Sequence, residues 1–125
     1  MKITGFNPII ITKNQDAIVK MFEELGFEKS HRPEGTAASG FDFTVVRMKD
    51  ANGFHVDVAL SAGPIPQDIT AIRINVDDFS EAYDYLTERG FKTMNGKPAT
   101  ETDSSKAIFL ISPSGFCVVL VQHIK

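Results

Sequence analysis

At 125 residues the chain has room for one ordinary domain with a sizeable core, and not for two independent ones. An apolar fraction of 42% and a charged fraction of 23% are those of a globular protein. A net charge of -3 without any run of five like charges argues against a nucleic-acid partner or an anionic membrane surface. The single Cys117 excludes an internal disulfide and suits a reducing cytoplasm, and no stretch approaches the ~20 apolar residues of a membrane helix.

The chain opens on MKITGFNPIIITKNQD, whose short apolar stretch reads as a strand entering the core, not as a signal peptide. Pro8-Ile9-Ile10-Ile11 is its strand segment. A helix is expected over residues 15–25, where Ile18, Met21, Phe22 and Leu25 recur at the spacing of one helical face. Asn14 is placed to cap it and Gly26 to end it. Strand-like segments follow at about 28–32, 41–48 and 54–60, with Ala51-Asn52-Gly53 as a hairpin signal before the last. Residues 32–40, polar and carrying Gly35 and Gly40, read as a loop.

Ser61-Ala62-Gly63-Pro64-Ile65-Pro66 cannot continue a ladder and forms a joint. Beyond it Ile72-Arg73-Ile74-Asn75-Val76 alternates as a strand. A second helix is expected over residues 79–88, with Phe79, Ala82, Tyr83 and Leu86 on one face. Asp78 and Glu81 have capping-box spacing, and Gly90 ends it. Strands follow at about 91–95, 107–111 and 116–122, with a loop at 97–106 and a turn at Pro113-Ser114-Gly115.

The second half copies the first. Asn14 matches Asp78, Phe22 matches Leu86, and Leu25-Gly26-Phe27-Glu28 matches Arg89-Gly90-Phe91-Lys92, at a constant offset of 64 positions. A period near half the chain length means a duplicated unit. The class is α+β: two tandem βαβββ modules in one domain, about 1–61 and 68–125.

Strand parity separates two faces, because successive side chains point to opposite sides. Phe54, Val56, Val58 and Leu60 share one face, with Ile72, Ile74 and Val76 and with Phe116, Val118 and Leu120 in their strands. The other face carries His55, Asp57 and Ala59; Ala71, Arg73 and Asn75; Cys117, Val119 and Val121; and Asn7, Ile9 and Ile11. A sheet apolar on both faces needs a second cover, such as a curled partner sheet, a ligand or another subunit, and a semi-enclosed cavity meets that need.

The duplicated unit, the Phe22-Glu23-Glu24-Leu25-Gly26-Phe27 segment and Ser112-Pro113-Ser114-Gly115 before the last strand resemble the vicinal oxygen chelate superfamily. That group includes glyoxalase I, extradiol dioxygenases, fosfomycin-resistance enzymes and bleomycin-binding proteins. The resemblance covers essentially the whole chain. It implies a curved, half-open mixed sheet with the helices on its outer face, and a homodimer with cavities built between modules of two chains. In the metal-dependent members it implies ligands that fall here on Asn7, Asp57, Ala71 and Val119. Two of these have no donor atom, whereas divalent metals need several N or O ligands within about 2.0–2.6 Å. The expectation is therefore no metal and no cofactor.

The candidate site residues lie on the mixed face. Asp57 could accept a hydrogen bond from a ligand or act as a base; equally, it could form a structural ion pair with Arg73. His55 could shuttle a proton. Arg73 could clamp an anion, with Asn75 beside it, and Arg47 could face either way. Phe43 and Phe109 could stack on a flat ligand or pack in the core. Val119 completes the wall, and Cys117 reads as packing. The function expected is binding of an amphipathic small molecule; the alternative is a glyoxalase-related lyase or isomerase with Asp57 or His55 as base.

Overall fold

The computed structural model describes residues 1–29, 44–61, 64–93, 100–101 and 105–123. The expected loop at 32–40, Phe43 and most of the loop at 97–106 lie outside them. Among these residues nine strands and two helices follow in the order β1 (Ile3–Thr12), α1 (Gln15–Glu24), β2 (Glu28–Lys29), β3 (Thr44–Lys49), β4 (His55–Leu60), β5 (Ile69–Val76), α2 (Phe79–Glu88), β6 (Lys92–Thr93), β7 (Thr100–Glu101), β8 (Ser105–Ile111) and β9 (Cys117–His123). They form one mixed sheet in the order β2-β3-β4-β1-β5-β9-β8-β6, with β7 paired to β8. β1 runs parallel to β4 and β5 parallel to β9, while β1 and β5 pair antiparallel at the centre. The two modules are thus joined through their first strands. The α+β sheet is open and curled.

Both helices begin and end where the sequence places them, to within a residue. α2 is capped as expected: Asp78 Oδ1 accepts from the Glu81 backbone N–H at 3.0 Å. α1 is not, because Asn14 makes no side-chain cap bond. Thr12 Oγ1 instead accepts from the Asn14 N–H at 2.9 Å, which turns the chain out of β1. Gly26 and Gly90 end the helices at φ of 106° and 94°, a region that costs a Cβ-bearing residue strain.

The two helices pack on one face of the sheet. Val19 of α1 is buried with Met48, Val56 and Val58, and Ile18 and Phe22 pack against them. The expected stripe is corrected here: Met21 and Leu25 are exposed, and Val19 carries the burial. The stripe follows the direction of the sheet, which periodicity alone does not contain. In α2, Phe79 and Ala82 are buried with Val76, Ile108, Leu110, Val118 and Leu120, with Tyr83 and Leu86 against them as expected. Each fully buried Val or Leu is worth about 1.5–3 kcal/mol over its exposed state.

The opposite, concave face has its own apolar cluster. Ile9, Ile11, Val45, Ala59, Ala71, Ala107, Val119 and Val121 are buried in it, with Ile65, Ile69, Phe109 and Cys117 packed against them. Parity therefore divides the strands as the sequence indicates.

Candidate site on the concave face

Asp57 is the centre of the site. It lies on β4, opposite Arg47 of β3 in the cross-strand register, and opposite Ile9 of β1 on its other side. Arg73 lies on β5, opposite Asn7 of β1 and Val119 of β9. Arg73 Nη1 donates to Asp57 Oδ2 at 2.8 Å, and Arg47 Nε donates to Asp57 Oδ1 at 3.3 Å. The Asp57 and Arg73 side chains are 1% and 2% exposed, and that of Arg47 is 24% exposed. The ion pair weighed from the sequence is present, and Arg47 faces the same carboxylate. Buried charges of this kind are tolerated only when paired and hydrogen-bonded.

Arg73 Nε donates to Asn75 Oδ1 at 3.1 Å, which fixes the angle of the guanidinium. Asn75 is itself placed by a close approach. β1 and β5 shift register between Ile3 and Gly5, and Gly5 pairs with Asn75. A Cβ on Gly5 would stand 3.2 Å from Asn75 Nδ2 and 3.3 Å from its Cβ. Asn7 turns its amide to the neighbouring carbonyl, Nδ2 donating to Pro8 O at 2.9 Å. Among the described residues no buried side-chain nitrogen or oxygen lacks a hydrogen-bond partner.

The remaining candidates separate into wall and rim. Val119 is fully buried and Phe109 packs on the concave cluster. Cys117 packs there too, and burial pushes its thiol above the ordinary value. His55 shares the parity of Asp57 but stands exposed at the first position of β4, opposite Lys49. It is a rim residue, not one enclosed with Asp57. A strand's parity gives the face and not the depth. A separate hollow of about 340 Å³, lined by Lys13, Asn14, Gln15 and Leu60 among others, lies at the start of α1, away from these residues.

Two parts of this arrangement were not settled by the sequence. The face of Arg47, left open there, follows from counting the hairpin register back from Gly53, since Lys49 faces His55 and Arg47 then faces Asp57. The contact of Gly5 with Asn75 depends on the register shift in β1 and has no local signal.

The positions that the resemblance assigns to metal ligands lie on four adjacent strands, but they do not suit a divalent ion. Ala71 and Val119 offer no donor, both oxygens of Asp57 receive guanidinium hydrogens, and the Asn7 amide is turned to Pro8. Among the described residues no three His, Cys, Asp or Glu side chains gather to hold a metal.

No curated protein sequence matches the chain. Solved structures share its fold. A glyoxalase/bleomycin resistance protein/dioxygenase superfamily member from Vibrio splendidus 12B01 aligns at 16% identity over 97% of this chain and 99% of that one, with a TM-score of 0.62. Methylmalonyl-CoA epimerase from Mycobacterium tuberculosis aligns at 12% identity over 97% and 89%, with a TM-score of 0.64. A point mutant of glyoxalase I from Zea mays aligns at 14% identity over 97% of this chain and 44% of that one, with a TM-score of 0.68. At such identities the likeness concerns the fold alone. A family model matches residues 5–120, and with it the chain belongs to the Glyoxalase/Bleomycin resistance protein/Dioxygenase superfamily.

Proposed function

We propose that the protein binds an amphipathic small molecule on its concave face, in the manner of the bleomycin-resistance branch and without a metal ion. One observation carries this reading: a charged and amide group of Asn7, Arg47, Asp57, Arg73 and Asn75 is set among aliphatic side chains on the sheet face that, among the described residues, neither α1 nor α2 covers. Burying such a network contributes little net stability. Apolar walls with a few placed polar groups are what a small-ligand site requires. Asn7, Asp57, Arg73 and Asn75 form the polar flank, and Phe109 and Val119 belong to the apolar one. Phe43 joins the apolar flank by sequence.

Fold neighbours named as an epimerase and a glyoxalase supply the enzymatic alternative, a lyase or isomerase with Asp57 or His55 as base. The geometry favours it less, because the guanidinium groups hold Asp57 and His55 stands at the rim. The test is a thermal-shift panel of amphipathic acids, amides and aromatic compounds against chelator-treated protein. Compounds that raise the Tm of the wild type but not of Arg47→Ala support the reading; a panel with no response counts against it.

The reading includes a homodimer in the cytoplasm. Phe6 of β1 and Phe54, just before β4, are 64% and 66% exposed and offer apolar surface for a second copy. Light scattering on the wild type and on Phe6→Ser/Phe54→Ser would read the mass directly: a dimer that the substitutions dissociate supports this contact, and a wild-type monomer rejects it.

A further inference from the structure

We infer that the guanidinium of Arg73 is the resident cation of the concave face: a tethered charge fills the place beside Asp57 that a divalent ion would need. The inference deepens the metal-free reading of the site and rests on it for its setting. Arg73 belongs to β5 and Asp57 to β4, and β1 lies between them. Neighbouring strands stand about 4.8 Å apart, so the Arg73 and Asp57 side chains reach toward each other over β1 and together bridge roughly 10 Å. The cross-strand register makes Asp57, Ile9 and Ala71 one row and Asn7, Arg73 and Val119 the next. The guanidinium head therefore lies against Asp57, the one of the four assigned positions that carries a carboxylate.

Three features hold it there. Asp57 Oδ2 accepts from Nη1, Asn75 Oδ1 accepts from Nε, and Gly5 leaves the room in which Asn75 lies. Arg47 engages the other Asp57 oxygen. A divalent ion would have to come within about 2.0–2.6 Å of an oxygen that already faces a positive charge at 2.8 Å. Solvent screens that repulsion little, because the pair is buried. Missing donors and an occluding cation are separate reasons for refusing a metal, and they can be tested separately.

The experiment compares two chelator-treated variants with the same donors. Asn7→His/Ala71→His places imidazoles on β1 and β5 beside Asp57 and keeps Arg73; the second variant adds Arg73→Ser. Ni²⁺ and Zn²⁺ are the probes, read as metal retained per chain after gel filtration and as a shift in Tm. The expected result is no retained ion in the first variant and one per chain, with a raised Tm, in the second. Equal retention in both, or none in either, overturns the inference. If these variants do not fold by circular dichroism, Ala71→His and Ala71→His/Arg73→Ser make the same comparison with one imidazole. Ni²⁺ should raise the Tm of the second and leave the first unmoved, and the same response in both proteins overturns the inference. The ligand panel on the wild type is read without metal, so failure of the binding reading and failure of this inference give different results.

Discussion

Arg73 and Asp57 are paired across a strand to which neither belongs. The 2.8 Å contact runs from β5 over β1 to β4, and so it ties the second module to the last strand of the first. Removing Asp57 takes this counter-charge from the buried Arg73, and removing Arg73 leaves the buried Asp57 with Arg47 at 3.3 Å. Arg73→Met and Asp57→Leu should each destabilise the fold by about 3–5 kcal/mol in urea unfolding. The double variant should cost clearly less than the two together, because it leaves neither charge of this pair behind. Additive losses would mean that the pair is not coupled.

Gly5 is held to its size by Asn75. Gly5→Ala must push the amide by a few tenths of an ångström and disturb its bond to Arg73, at a cost of about 1 kcal/mol. The loss should shrink in an Asn75→Ala background, where the amide is gone. An unchanged loss there would place the strain in the backbone of β1 instead.

The two helix starts make a matched comparison. Asp78→Ala removes a side-chain cap and should cost about 1 kcal/mol, whereas Asn14→Ala removes none and should stay within about 0.5 kcal/mol of the wild type. Denaturant midpoints at constant m-value report both. Equal losses would show that Asn14 caps α1 in solution.

Cys117 gives the pH dependence. Burial raises its thiol above the ordinary range, so the folded state keeps the proton longer than the unfolded chain. The associated stabilisation is fully present below the unfolded value of about 8.5 and is lost as pH rises through the folded value. Alkylation by iodoacetamide at pH 8 should be slower than that of a free thiol and should rise only at more alkaline pH. A rate equal to the free thiol's at pH 8 would contradict the burial effect.

Much of the fold was legible because duplication and periodicity are local. The helix over Phe79–Glu88, the turns at Gly53 and Gly115, and the division of Asp57, Arg73 and Val119 from Val58 and Leu120 all follow from spacing. The first strand was read too short. β1 begins at Ile3, but its register shift near Gly5 and its Pro8 break the alternation. Pro8 is tolerated because the pairing with β4 begins only at Ile9, so at Pro8 the strand is paired to β5 alone. The site was legible as a set of residues on one face and not as a network. Which oxygen meets which guanidinium, and that His55 ends on the rim, depend on strand register and strand ends.

The central claim is a metal-free ligand site on the concave face, and chemical-shift mapping tests it most directly. Isotope-labelled, chelator-treated protein would be titrated with compounds that raise its Tm. The account predicts that the shifted amides cluster at Asn7, Asp57, Arg73, Asn75, Phe109 and Val119. Shifts confined to the helix-covered face or the start of α1, or shifts that appear only after a divalent metal is added, would contradict it.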